Sequence, residues 1–253
     1  MLLRRITKHV KDQNWFAVGI DFVIVVVGVF IGLQVANWNE ARGFAARETG
    51  YLEKLRDEIA FNNAQTLERV KIMRRVMAAG HTAHNFLSSD KPCEDDCWRV
   101  TVDMFHATQV LYGPASFSVY DQMQRLDLPK SDSIKKSIAD YYQLEAAMVE
   151  SFDRNPVFRR YVRKALPTDV QSVLWRDCYE LVGLGENLIA DCKKGASDQV
   201  TRAALETLKS NPDVAAELNY WLSMHSLWRP LLIESVARGE ATIQIINDEL
   251  DRR

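Results

Sequence analysis

Glycine and proline are scarce in this 253-residue chain, 11 and 7 respectively. They cluster where helices should stop. Internal repeats and low-complexity segments are absent. Charge of one sign is also missing: 32 Lys and Arg stand against 34 Asp and Glu, a net of -2. That balance excludes a basic field for nucleic acid and an acidic tail. No G-x-S-x-G, no S-x-x-K and no glycine-rich phosphate loop occurs, so the usual nucleophile and nucleotide signatures are lacking. Gly183-Leu184-Gly185 reads as the end of a helix with no strand before it, so it is not a dinucleotide fingerprint. Paired carboxylates are plentiful, but each falls on a charged helical face. These absences lead to the expectation of a non-enzymatic protein without a cofactor.

What is present is a globular composition, 47% hydrophobic and 26% charged, with one local exception. Every residue from Phe22 to Leu33 is apolar, and Asp21, Gln34 and Asn37 alone interrupt the stretch from Trp15 to Trp38. As a helix, Trp15 to Trp38 spans roughly 34 Å, enough for a hydrocarbon core of about 30 Å. Trp15 and Trp38 then fall at the two interfaces, where indole is favoured. A cleaved signal peptide fits less well, because Ala36 is followed by Asn37 and Trp38, a poor cleavage site. Arg4, Arg5, Lys8 and Lys11 precede the run, against Arg42, Arg47 and Lys54 after it. This modest asymmetry places the N-terminus in the cytoplasm. The division expected is a cytoplasmic tail over 1–14, a transmembrane helix over 15–38 and a periplasmic helical bundle over 39–253. With about 14 residues inside, a directly coupled output domain is disfavoured.

Four cysteines, Cys93, Cys97, Cys178 and Cys192, allow three pairings. The local pairs 93–97 and 178–192 need the least rearrangement, and disulfides belong to an oxidising compartment. His81 and His84 lie three apart near Cys93 and Cys97, a spacing that can share a metal. The three-residue cysteine gap departs from the usual zinc knuckle, so a disulfide beside two histidines is the preferred reading. His106 and His225 fall among apolar residues and read as core histidines. Tyr141-Tyr142 and Trp221/Trp228 read as core or groove aromatics, and a groove there would bind a small molecule.

Apolar spacing of three and four dominates the remainder, so the fold class is all-α. Leu52, Leu55, Ile59, Thr66, Val70, Met73 and Met77 form one stripe, continuing the first helix to about Leu87 unless Gly43 or Gly50 breaks it. Further helices are expected near 98–110, 117–126, 131–164, 169–182 and 198–209, with a turn at Tyr112-Gly113-Pro114. Thr168 and Gln171 form a capping box. Asn211-Pro212 opens a last helix to about 250, with Pro230 as a kink. Antiparallel packing of 52–87 against 213–250 is expected.

Gly28 and Gly32 form a small-xxx-small motif, and Ala36 extends it by a turn. Asp21 lies seven residues before Gly28, on the same face. A carboxylate at membrane depth costs about 2.5–3.5 kcal/mol at the centre and less toward an end. Asp21 can therefore pair with a basic residue of another membrane subunit, share a proton with its own copy, or reach the headgroups. Asp21, Gly28, Gly32 and Ala36 are the expected interaction face, and a homo-oligomer or another membrane protein is the expected partner.

The segment Gly19-Ile20-Asp21, then Ile31-Gly32-Leu33-Gln34 and Asn37-Trp38-Asn39-Glu40, resembles the N-terminal signature of an uncharacterised bacterial family of single-span membrane proteins. That signature reads G-E, an apolar run, IALQ and NNWNE. Here Asp21 replaces Glu, Gly32 replaces Ala and Ala36 replaces Asn. Residues 116–142, SFSVYDQMQRLDLPKSDSIKKSIADYY, resemble a mid-domain segment of the same family. The resemblance implies a membrane placement and no particular activity; with the flanking charges and the cysteines it leads to the expectation of a bacterial inner-membrane protein.

Overall fold

The computed structural model describes residues 15–110, 115–151, 155–182 and 185–253. The expected tail 1–14, the turn at 112–114 and the side chains of Trp15 and Asp21 lie outside the described residues. The described elements are helical apart from one hairpin. In chain order they are α1 (Trp15–Leu87), α2 (Cys97–Ala107), α3 (Ser118–Arg125), α4 (Asp132–Ser151), α5 (Val157–Ala165), α6 (Thr168–Asp177), β1 (Tyr179–Val182), β2 (Gly185–Leu188), α7 (Asp198–Lys209) and α8 (Pro212–Leu250).

The chain divides into two compact units, Met1–Tyr51 and Leu52–Arg253. α1 is unbroken at Gly43 and Gly50, and no atom approaches within 4 Å of a Cβ placed on either. In the first unit α1 contains an 18-residue window long and apolar enough to cross a membrane, none of it buried.

In the second unit the expected stripe of α1 is buried from Leu52 to Met73, while Met77 is half-buried. Burying a Leu or Ile side chain contributes about 1.5–3 kcal/mol, so this stripe anchors the unit. Val70 and Met73 join Phe105 of α2, Phe158 of α5, Leu205 of α7 and Leu218, Trp221 and Leu232 of α8 in one apolar core. Asn63 Nδ2 donates to the Val236 carbonyl at 3.2 Å, and Gly80 faces Leu222. Ascending positions on α1 thus meet descending ones on α8, the antiparallel arrangement expected. α4 also runs antiparallel to α8, with Ser137 against Thr242 and Glu145 against Ser235.

Several local expectations are corrected. The helix expected over 131–164 is two, α4 and α5. α5 starts after Pro156, and a proline disfavours helical conformation in the residue before it. The helix expected over 169–182 ends at Asp177, and Tyr179–Val182 pairs antiparallel with Gly185–Leu188. A strand does therefore precede Gly183, but a second strand follows instead of the helix a dinucleotide site needs. The Thr168–Gln171 capping box does not form, since Pro167 caps α6 without a side-chain bond. Gln171 Nε2 instead donates to the carbonyls of Arg163 and Leu166, both at 2.8 Å, satisfying the end of α5. Asn211 does cap α8, accepting from Asp213 N at 3.1 Å, and Pro230 sits inside α8 without ending it.

Candidate functional site

The most unusual surface is on α1. Phe22 is 69% exposed and Phe30 61%, and Val23 to Val27, Val29, Ile31, Leu33 and Val35 are exposed as well. A Cβ placed on Gly28 or Gly32 would meet nothing within 4 Å beyond the adjoining helix backbone, and Ala36 is exposed. Trp38 is exposed, with the Arg42 guanidinium 4.7 Å from its ring centroid. A continuous apolar face of this size is unstable in water and requires lipid or protein around it.

A second notable feature lies inside the Leu52–Arg253 unit, where α1 carries polar side chains into the core. Glu58 accepts four hydrogen bonds. Ser116 Oγ and Val119 N donate to Oε2, both at 2.9 Å, while Tyr142 Oη (2.7 Å) and Tyr120 N (3.3 Å) donate to Oε1. One turn on, Asn62 donates to the Ser116 carbonyl at 2.9 Å and accepts from Ser116 N at 2.8 Å. α3 has no side-chain cap of its own, so Glu58 supplies one from another helix and answers its positive end. Tyr120 stacks on Tyr142 with centroids 4.2 Å apart, and burial pushes both phenols up, Tyr142 further so by its bond to Glu58. The segment 116–142 therefore begins and ends at residues that bind one carboxylate.

The next turns of α1 place Arg69 near Glu145 of α4, and Ser235 of α8 donates to Glu145. Burial lowers the Arg69 guanidinium from its ordinary value and raises the Glu145 carboxyl, the latter opposed by Ser235 and Arg69. Asn63 Oδ1, Thr66 Oγ1 and the Tyr141 hydroxyl are buried without a hydrogen-bond partner; Asn62 lies beside Tyr141 but falls short of good geometry. Sequence reasoning missed Glu58, Asn62, Arg69, Glu145 and Ser235. Spacing carried a signal, since 55, 58, 59, 62, 66 and 69 share one helical face with the apolar stripe.

The cysteines pair as the local reading expects, Cys93 with Cys97 and Cys178 with Cys192. A paired sulfur is no thiolate ligand, which removes Cys93 and Cys97 from any metal site with His81 and His84. His81 is exposed and His84 half-buried. Among the described residues no cluster of three or more His, Cys, Asp or Glu is arranged to hold a metal. Three side chains of α2 hold the Cys178–Cys192 loop: Trp98 Nε1 donates to the Cys192 carbonyl (3.4 Å), Arg99 to that of Ala190 (3.3 Å), and His106 Nε2 to that of Cys178 (2.8 Å). Burial raises the neighbouring Asp103 carboxyl to about 6 despite Arg99 beside it.

Tyr141, Tyr142, Trp221 and Trp228 are all buried, so they do not line an open groove. His225 sits between the two indoles; its Nδ1 donates to the Trp221 carbonyl at 2.9 Å and its Nε2 is unpaired. It is thus a core histidine satisfied at one nitrogen only. A surface cavity of about 240 Å³ does open between α3 and α4, lined by Tyr120, Met123, Leu128, Pro129, Lys135 and Ile138 among others. Its rim carboxylate, Asp127, is bound by Lys130 (2.9 Å) and Lys135 (2.6 Å), which hold it down to about 2.

Comparison with models of known protein families, with curated proteins and with solved structures finds no match.

Proposed function

We propose that the chain is a non-enzymatic, single-span protein of a bacterial inner membrane that works through contacts with other proteins. The observation that carries this reading is the apolar stretch of α1, whose large side chains from Phe22 to Val35 are exposed. Lipid removes that penalty, whereas water does not. Four basic residues before the stretch favour a cytoplasmic N-terminus. Two disulfides favour an oxidising, periplasmic side for the helical body. The resemblance of the segment from Gly19 to Glu40 to a single-span family points the same way.

Within the membrane Gly28 and Gly32, and less closely aligned Ala36, offer a face on which a second helix packs closely. Asp21 shares that face by helical spacing and can meet a donor there. The partner is a copy of this chain or a different membrane protein.

The test is disulfide-independent crosslinking in native membranes after a carbonate wash. The chain is expected to stay in the pellet and to give an oligomer or partner band. Gly28→Leu with Gly32→Leu, or Asp21→Ala, should weaken that band several-fold. A chain released by carbonate overturns the anchor, and a band indifferent to all three substitutions overturns the interaction face.

A further inference from the structure

The cavity between α3 and α4 has an apolar lining and a charged rim. α3 ends at Arg125, and Leu128 N then donates back to the Met123 carbonyl at 2.9 Å before α4 begins at Asp132. This turn tucks Leu128 and Pro129 into the protein, where with Met123 and Ile138 they give the cavity four buried apolar lining residues. Tyr120 adds one wall. Its ring is stacked on Tyr142, its backbone N–H donates to Glu58 of α1, and its hydroxyl accepts from Gln124, so that wall is held before any ligand arrives. The volume of about 240 Å³ equals that of about eight water molecules. At the rim Asp127 receives Lys130 at 2.9 Å and Lys135 at 2.6 Å. Two ammoniums meet one carboxylate, which leaves one positive charge in excess. Lys135 is half-buried and lines the cavity itself; among the described residues one of its three N–H donors is committed, to Asp127.

We propose that this cavity binds a small monocarboxylate, its short apolar body against Met123, Leu128 and Ile138 and its carboxylate on the Lys135 ammonium at the rim. A cationic ligand is disfavoured, because it would join two ammoniums already gathered on Asp127. A neutral apolar molecule fills the space but leaves the excess charge unanswered. Apolar walls lower the dielectric on one side of the new ion pair, which makes it stronger than the same pair in open water. The volume lies below the range usual for drug-sized ligands, so the body is a short chain or a single ring. The inference stands apart from the membrane reading, because every lining residue belongs to the Leu52–Arg253 unit.

The experiment follows the methyl resonance of Met123 in the full-length chain, labelled at its methionine methyls and held in one detergent at pH 7. Hexanoate and benzoate are the probes, and hexanamide and benzamide are their neutral counterparts. A resonance on the cavity lining reports binding there and is not moved by uptake of probe into micelles. At least one acid should shift it saturably, with a Kd on the order of a millimolar for so small a probe. The matching amide should bind about three- to fivefold more weakly. Ala139→Leu, which fills the cavity from α4, should abolish the shift. Lys135→Gln should weaken the acid by about the same three- to fivefold and remove its advantage over the amide. Asp127→Asn should strengthen the acid, since it raises the excess positive charge; asparagine tolerates the left-handed backbone at that position, φ 53°. No saturable shift with either acid, an amide that binds as well as its acid, or a response that survives Ala139→Leu overturns the proposal. If Ala139→Leu fails to fold, the two charge variants decide: an acid affinity unmoved by both overturns the site.

Discussion

Glu58 holds together residues that are 58 to 84 positions away in the chain. Truncating it leaves two helix-terminal amides and a buried tyrosine hydroxyl without an acceptor. Glu58→Ala should lower the unfolding free energy by about 3 kcal/mol, with Glu58→Gln intermediate, as read from denaturant midpoints. His225 gives a different signature. Burial lowers its imidazole to about 4 in the folded chain, against an ordinary 6.5. The unfolded chain therefore takes up a proton near pH 6.5 while the folded chain does not. Its contribution is complete above pH 6.5 and falls away toward pH 4, by about 3 kcal/mol in all. His225→Gln should flatten that part of the stability–pH curve. The two groups also differ in legibility. His225 stood out because an imidazole among Trp and Leu at helical spacing reads as buried. Glu58 did not, because a charged residue on a helix is by default assigned to its solvated side. The acceptor role of Glu58 exists only once Ser116, Val119 and Tyr120 are folded against it.

At the scale of elements, the closeness of α1 and α8 depends on a missing side chain. A Cβ on Gly239 would run into Asn63 Oδ1, so Gly239→Ala must displace the carboxamide that binds Val236. A loss of about 2 kcal/mol is expected, and it should shrink in an Asn63→Ala background, where the obstruction is gone. Gly80→Ala meets only the tip of the Leu222 side chain, at 2.6 Å. There the gain in helix propensity, about 1 kcal/mol, should roughly offset the repacking. The long amphipathic helices were readable because their periodicity persists over many turns. In the second half of α8, Ser235, Gly239 and Thr242 are on the buried face. Small and polar residues carry no hydrophobic signal, although they permit the tightest approach. The hairpin after α6 was missed for a related reason. Its two strands have four residues each, and the Cys178–Cys192 bond and the α2 side chains hold its base. Those are contacts from afar, invisible to a local pattern.

For the molecule as a whole, the two disulfides should contribute unequally. Cys178 and Cys192 are 14 apart, and closing a loop of that size is worth about 3 kcal/mol; the separation of 4 between Cys93 and Cys97 is worth about 2. Replacing both Cys178 and Cys192 by Ser should lower the melting temperature more than the corresponding change at Cys93 and Cys97. The apolar stretch was legible because composition alone distinguishes it. The polar interior was not, since an average over 253 residues hides the few ionisable groups that are buried. The placement of the indoles has an optical consequence. Trp98, Trp221 and Trp228 are sealed in the core, while Trp175 is 38% exposed. In bilayers an aqueous iodide titration should therefore dim Trp175 and spare those three. Brominated acyl chains, placed at the depth proposed for Trp38, should extinguish a further fraction of the emission.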